Sequence, residues 1–463
     1  MNEKQKSVRI LTEGLGIAEN SMGLLALGIA GSAAVVCEIA LSLKVWVALS
    51  LVIKPLVDLT WRWEFFNVFN QSVNLQAILG VLVALLNGVV VVYGRRKPRY
   101  SRRVLLLLAA ATLSVIITPS SWGVNELVRL FSGVSFFFTA GLVLGEKRKF
   151  DRFAMMFLAI LCVPLVLSLF QVAGFLPFEY WDDLPDGQQI GRASGTYQHP
   201  GELIFFLIYA VPLALYRWDE TEKGQRERAL LIVFSVLAAL ALVFTFHRMG
   251  WIVIAVELAL WHASKRQFKK IIFGGAAVLV LAVVFSGWIS MLFGNVTELF
   301  SGEADFASGN FIRGRGAHWI AFLTSYAQGG PVRWIIGKGG SVAQVSLASI
   351  FEYAENEPHN DYIRILHAYG LAGVCLYVSL LTAFFRESVL HRRSSDPFRR
   401  GIGRILLCSL VGVLLLSITM EPMRYPTAVW YLFVLSSIAC FLPKSVPLTA
   451  VPAAARPKSL QPG

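Results

Sequence analysis

Apolar stretches of about twenty residues alternate with short charged runs along most of this chain. A helix of that length spans the ~30 Å hydrocarbon core of a bilayer. The pattern predicts an all-α, polytopic integral membrane protein with about 12–13 transmembrane helices and one large extracytoplasmic loop containing short helices. The spans that can be placed one by one are 76–94, 104–118, 125–145, 154–176, 200–217, 229–246, 249–263, 271–293, 361–385, 403–420 and 426–442.

The first apolar region is ambiguous. Residues 21–61 fit either two crossings or one crossing followed by an interfacial piece, so the side of the N-terminus stays open. The polar start of the chain does not have the pattern of a cleavable signal peptide. The predicted segments are a polar N-terminal segment at 1–20, membrane helices at 21–293, a large periplasmic loop at 294–360, C-terminal membrane helices at 361–442 and a disordered Pro- and Ala-rich tail at 443–463.

The large loop is too long to be structureless inside a compact protein. Within it, residues 316–327 and 341–354 have helix-like apolar spacing. Between them lies a glycine-rich turn, "GGPVRWIIGKGG" (329–340). Its last four residues, "GKGG" (337–340), lack the pattern of a phosphate-binding loop and indicate a flexible turn. We expect a small cap of short helices over the outer membrane surface.

The net charge of +13 changes this picture little. Basic residues collect at the ends of apolar helices, as the positive-inside rule requires of cytoplasmic loops. We therefore predict membrane lipid, and no nucleic acid, as the partner of these charges. The five cysteines lie in apolar segments without metal-ligand spacing, and no cofactor is expected. The basic runs are 94–103, 146–152, 264–270 and 386–400, which leaves 119–124, 177–199, 294–360 and 421–425 facing outward.

Three outward positions are candidates for chemistry: Arg192, Arg248 and His359. Two cations and an imidazole around one pocket suit a phosphorylated lipid, because the arginine fork matches phosphate oxygens. His359 stands at the predicted start of a helix, with Asn360 and Asp361 available to cap it. The helix dipole disfavours an imidazolium there, so a neutral His359 can accept a proton as a general base.

Each candidate also has a structural explanation. An arginine near a membrane interface usually extends to lipid headgroups, and a histidine at a helix start is commonly a cap or a surface residue. The acidic "WDDLPD" (181–186) reads as a solvated turn, with Asp182 and Asp183 as an alternative metal site. None of these signals decides the function alone.

Four motifs together resemble the O-antigen ligase and O-antigen polymerase family of bacterial envelopes. They are "GRASGTYQHPGELIFFLIYAVPLAL" (191–215), "FTFHRMGWIVIAVELAL" (244–260), "RGRGAHWIAFL" followed by "IIGKGG" (313–340), and "EPHNDYIRILHAYGLAGVCLYVSLL" (357–381). Their order, spacing and predicted side of the membrane agree with the family. In addition, "IKPLVDLTW" (53–61) is similar to the first helix of its exopolysaccharide-type members. The resemblance extends from about residue 45 to 442.

The resemblance implies a metal-independent membrane glycosyltransferase whose donor is a glycan on undecaprenyl diphosphate. It implies that Arg192 and Arg248 bind the diphosphate and that His359 is the catalytic base. This sequence departs from the commoner pattern with Gly201-Glu202, which puts any role of Glu202 in doubt. Further candidates for substrate binding are Arg315, His199, Asn360 and Asp361.

The implied setting is the bacterial inner membrane, with the active site facing the periplasm. The acceptor is a glycan or a lipid, and chain-length regulator or flippase proteins are further expected partners. The motif at 53–61 favours a polymerase of surface or exopolysaccharide repeats over a ligase that attaches the glycan to lipid A-core or protein. A transporter or flippase for the same lipid-linked sugars, and a metal-dependent glycosyltransferase using Asp182 and Asp183, are the alternatives.

Overall fold

The computed structural model describes most of the membrane helices. Four predictions concern residues outside the described ranges: the crossing within 21–42, the far end of the span at 271–293, the helix at 341–354 and the disorder of the tail. The described residues are 43–68, 71–93, 96–183, 189–222, 225–284, 315–339 and 358–443.

Helices dominate this part of the chain, and most begin and end within a few residues of the predicted spans. They are α1 (Leu43–Asp58), α2 (Leu75–Tyr93), α3 (Ser101–Ile117), α4 (Ser121–Leu144), α5 (Lys147–Val172), α6 (Pro200–Glu220), α7 (Arg226–Phe244), α8 (Arg248–Ser264), α9 (Phe268–Val284), α10 (Arg315–Ala327), α11 (Gly330–Ile336), α12 (Asp361–Arg392), α13 (Pro397–Leu416) and α14 (Pro426–Phe441).

Five helices of the described part are long and apolar enough to cross a membrane. The prediction of an all-α, multi-pass membrane protein is confirmed, since helices satisfy their own backbone groups within a bilayer. The number of crossings, about 12–13, stays a prediction. The five lie at Gly123–Leu144, Lys147–Val172, Pro200–Glu220, Arg226–Phe244 and Asp361–Arg392, with shorter apolar helices at Leu75–Gly88 and Pro426–Phe441.

Helix α14 is the centre of the bundle. Every residue from Thr427 to Cys440 is buried, as expected of a helix that is apolar on all sides. It packs closely along α4, where Cβ atoms added at Gly133 or Gly141 would overlap the side chains of Val429 or Phe441. The last two helices therefore complete the core that the earlier ones surround.

Two antiparallel hairpins, which the helical pattern did not predict, lie in the connections between helices. Strands β1 (Glu64–Val68) and β2 (Gln71–Asn74) form one, and β3 (Tyr180–Asp183) and β4 (Gln189–Arg192) form the other. In the second hairpin, Tyr180 lies directly opposite Arg192. The hairpin thus places a predicted site residue against an aromatic ring.

The glycine-rich stretch of the large loop is not a flexible turn, so that prediction was wrong. Its centre is the short helix α11, and its next residues bond to α12, which is broken at Gly370 (φ 66°). The break leaves two carbonyls without helical partners, and the N–H groups of Lys338 and Gly339 donate to them at 2.8 and 2.9 Å. Gly337 and Gly370 have positive φ angles, and a Cβ on either would overlap the opposite backbone. Only glycine permits this approach.

Candidate functional site

The corner between α7 and α8 holds both arginines that the resemblance assigns to the diphosphate. Arg192 is 7% exposed, and its Nε donates to the carbonyl of Thr245 at 2.8 Å. Next to it, the N–H of Ala193 donates to the carbonyl of Phe244 at 2.9 Å, so β4 is fixed along the corner. Arg248, partly exposed, begins α8 three residues after Thr245. The two arginines therefore belong to one corner, although they are far apart in the sequence.

His247 occupies the middle of this corner. Its Nδ1 caps α8 by accepting from the N–H of Gly250 at 2.9 Å, and its Nε2 contacts Sδ of Met420 at 2.9 Å. Burial lowers the pKa of His247 well below its ordinary value, and the nearby positive charges of Arg192 and Arg315 act in the same direction. The imidazole is therefore neutral, with two cations near it. An anionic ligand would relieve their mutual repulsion.

His199 joins this group from the start of α6. Its Nδ1 accepts from the N–H of Gly201 at 2.9 Å, which caps the helix. Its ring meets the edge of Tyr180 with centroids 4.7 Å apart, and the guanidinium of Arg192 lies 5.3 Å from the centre of that same ring. Tyr180 thus fixes two predicted site residues from two segments.

His359 lies just before α12, in the left-handed region with φ 48°. Its N–H donates to Oε1 of Glu421 at 3.0 Å. Its ring stacks on His318 with centroids 6.1 Å apart, and Trp319 donates to the carbonyl of Pro358 at 2.8 Å. A non-glycine residue with positive φ is strained and persists only where its surroundings hold it. Here the buried carboxylate of Glu421 and helix α10 hold His359 in this conformation.

The sequence offered both Asn360 and Asp361 as caps of α12, and the structure gives them different roles. Asn360 is the cap, since its Oδ1 accepts from the N–H of Ile363 at 3.1 Å. Asp361 is fully buried and does not cap α12. Its Oδ2 accepts from the N–H of Met423 at 2.8 Å, and its Oδ1 pairs with Arg364 at 3.0 Å. The carboxylate instead ties α12 to the turn before α14.

Arg364 and Glu126 extend this network, which no sequence motif indicated. Nη1 of Arg364 pairs with Oε2 of Glu126 at 3.1 Å, and the hydroxyl of Tyr369 donates to the same oxygen at 3.1 Å. The cavity beside them measures about 20 Å³, which is room for one water molecule and not for a sugar. We therefore assign Arg364, Glu126 and Tyr369 a structural role that supports the site.

The turn at 417–425 joins the two halves of the site. Met420 contacts His247, and the next residue, Glu421, holds His359. Helix α10 spans the same two halves: the charge of Arg315 acts on His247, while His318, one turn further, stacks on His359. The structure therefore gathers the predicted site residues into one region at one end of the bundle.

The sequence did not predict that His318 and Glu421 belong to the site, nor that His247 caps α8. His318 reads as an ordinary core residue of an apolar helix, and Glu421 lies in a short turn without any motif. The charged "EPMR" within that turn was the one available signal. In the described part of the chain, no group of three or more His, Cys, Asp or Glu residues could hold a metal ion. The side chains of Asp182 and Asp183 lie outside that description.

Comparison with known families finds a match within this chain. Residues 233–378 match the model of a family described as O-antigen ligase. This segment, about a third of the chain, is similar to an O-antigen ligase domain. The resemblance drawn from the sequence is thereby confirmed, and a membrane enzyme of the glycosyltransferase and ligase type follows from it. No curated protein matches this chain.

The O-antigen ligase domain covers only part of the site. It includes Arg248, Arg315 and His359, together with Asn360 and Asp361. Arg192 and His199 precede it, and Glu421 follows it. The roles of the individual residues stay predictions.

Proposed function

We propose that this protein is a bacterial envelope glycosyltransferase that polymerises undecaprenyl-diphosphate-linked repeat units at the periplasmic face of the inner membrane. The observation that carries the proposal is the corner at 245–248, where Thr245 holds Arg192 and where His247 caps α8 and is joined through Met420 and Glu421 to His359. Cations that converge on a neutral group provide a binding place for a diphosphate, and the imidazole of His359 provides a base beside it.

The proposed reaction needs no external energy source. A hydroxyl oxygen of the acceptor attacks the anomeric carbon of the donor sugar, and the bond from that carbon to the diphosphate oxygen breaks. Undecaprenyl diphosphate leaves with the electron pair, and the hydroxyl proton passes to His359. Because a direct displacement inverts the anomeric carbon, we expect inversion, and we expect the transfer to proceed without a metal ion.

Arg192 and Arg248 stabilise the negative charge that grows on the departing diphosphate. Arg192 is held in advance by the carbonyl of Thr245 and the ring of Tyr180, so it needs little reorganisation during the reaction. Preorganised charges of this kind, in a site that excludes water, supply the largest part of many catalytic effects. The geometry of the corner is therefore consistent with a diphosphate clamp.

The motif at 53–61 supports the polymerase form of the proposal. The indole of Trp61 donates to the carbonyl of Thr196 at 3.0 Å, and the hydroxyl of Tyr197 donates to the carbonyl of Pro55 at 3.1 Å. Helix α1 thus fixes the segment between Arg192 and His199. The features that resemble exopolysaccharide-type members therefore contact the site directly.

One experiment tests the activity and separates polymerase from ligase. The purified protein, in lipid nanodiscs, is incubated with undecaprenyl-diphosphate-linked repeat units extracted from source cells. We expect a ladder of products that differ by one repeat unit. A single product formed only when a lipid or protein acceptor is added would identify a ligase, and no product in either assay would contradict the proposed function.

A further inference from the structure

A cleft of about 580 Å³ opens between α5, the end of α6 and the start of α7. Its volume is typical of ligand-binding sites, which measure about 300–1,000 Å³. Helix α6 begins beside His199 in the candidate site, and Arg217 of the cleft lies about 27 Å further along the helix. The cleft therefore lies at the opposite end of the bundle, about one bilayer thickness from the candidate site.

The acidic side chains that line the cleft already have basic partners. Asp151 pairs with Nζ of Lys147 at 2.7 Å and with Nη1 of Arg217 at 3.0 Å. Glu227 pairs with Nη2 of Arg217 at 2.6 Å. These residues therefore balance one another, and the remaining charges of the cleft decide what it binds.

Arg148 and Arg152 are the remaining charges, and both are exposed on α5. Within the described part of the chain, neither forms a hydrogen bond or an ion pair. They stand four residues apart and so share one face of the helix, where like charges repel each other. A guanidinium presents a planar fork of donors that matches phosphate oxygens. A phosphate between the two would relieve the repulsion and satisfy both groups.

The same face of α5 continues as an apolar stripe. Met156, one turn after Arg152, also lines the cleft and is 47% exposed. Val163 and Phe170 follow at steps of two turns and are 43% and 45% exposed. Because α5 is long and apolar enough to cross a membrane, such a face lies against lipid chains. Basic groups thus give way to an apolar surface along one line, which matches the headgroup and chains of a phospholipid.

We infer that the cleft binds an anionic phospholipid of the surrounding bilayer. Its phosphate lies between Arg148 and Arg152, and an acyl chain follows Met156 and Val163. A free phosphate ion would satisfy the arginines but would leave the apolar stripe unused. A zwitterionic lipid fits less well, because its own cation would meet the unpaired charges of the arginines. This site is independent of the proposed function, since the cleft and the candidate site lie at opposite ends of α6.

Native mass spectrometry of the full-length protein in an uncharged detergent measures this binding. The probes are phosphatidylglycerol, phosphatidylcholine and inorganic phosphate. Arg148→Gln combined with Arg152→Gln should weaken binding of phosphatidylglycerol by about tenfold and leave that of phosphatidylcholine within about twofold. Met156→Asp should also weaken binding of phosphatidylglycerol, because the new carboxylate would repel the headgroup. Inorganic phosphate should not displace the bound lipid.

Lys269→Gln combined with Lys270→Gln is the matched control, because it removes two exposed positive charges of α9 that lie outside the cleft. It should leave the affinity for phosphatidylglycerol within about twofold of the wild type. Should the arginine variant not assemble, Met156→Asp carries the test. Equal losses in the two double variants would indicate a general effect of net charge and overturn the inference. Unchanged affinity in the arginine variant, or displacement of the lipid by inorganic phosphate, would overturn it as well.

Discussion

The backbone N–H of His359 donates to Oε1 of Glu421 at 3.0 Å, across 62 positions of the chain. Glu421 is 2% exposed, and its other oxygen lies 3.5 Å from Nη1 of Arg424. The carboxylate thereby holds His359 in a backbone conformation that few histidines adopt. The surrounding residues therefore determine where the imidazole of His359 is placed.

His359→Ala should lower turnover by about 10²–10⁴-fold, the usual cost of losing a general base. Binding of undecaprenyl diphosphate should survive, because the proposal assigns that binding to the arginines. Product ladders from the variant and the wild type, measured over time, give the two rates. A correctly assembled His359→Ala protein with full turnover would leave the base unidentified.

Arg248→Ala should abolish glycan transfer while the protein still inserts into the membrane. Arg248→Lys should restore little, since a lysine ammonium lacks the two-pronged fork that phosphate oxygens accept. Initial rates with lipid-linked repeat units measure both variants. Arg226→Ala, an exposed arginine at the other end of α7, is the matched control and should keep full activity. Wild-type rates in Arg248→Ala would remove Arg248 from the site.

Asp361→Asn should lower the free energy of unfolding by about 3 kcal/mol, because it leaves the buried charge of Arg364 with only one of its two carboxylate partners. Its carboxylate serves both Arg364 and the N–H of Met423. The control is Asp396→Asn, a partly exposed helix cap that should cost about 1 kcal/mol. Thermal denaturation in detergent measures both. Equal losses would show that Asp361 is only a cap.

The lowered pKa of His247 predicts a loss of stability in acid. Below the ordinary histidine pKa of about 6.5, the unfolded chain takes up a proton that the folded protein resists. Stability should therefore be level above about pH 7 and should fall below about pH 6.5. His247→Asn keeps a capping oxygen and should flatten this fall in a pH series of melting temperatures. His262→Asn, at the far end of α8, should leave the fall unchanged.

Gly370→Ala should disrupt the docking of the large loop on α12. The added Cβ would overlap the carbonyl oxygen of Ile335, and the positive φ costs an alanine about 1–2 kcal/mol in addition. Gly274→Ala is the control, since nothing lies within 4 Å of the added atom. Protease sensitivity of the loop should rise in the first variant only. An unchanged digestion pattern in Gly370→Ala would contradict the contact.

The sequence predicted the helices well because length and apolar periodicity act locally. The span at 426–442 agrees with α14, although no pattern revealed that α14 is central, since its burial depends on helices far away in the chain. Helix α11 was missed because flanking glycines outweighed its short apolar run. Asp361 was misread because the sequence does not distinguish a cap from the first helical residue, and its partner Met423 is 62 positions away.

The turn that carries Met420 and Glu421 also fixes when the enzyme can become active during synthesis. Membrane proteins are inserted from the N-terminus onward, so His247 and His359 enter the membrane before this turn exists. A chain released after α12 would contain His247 and His359 and yet lack Met420 and Glu421, which contact them. We therefore expect chains that end before this turn to be inactive, whatever the substrate of the finished protein is.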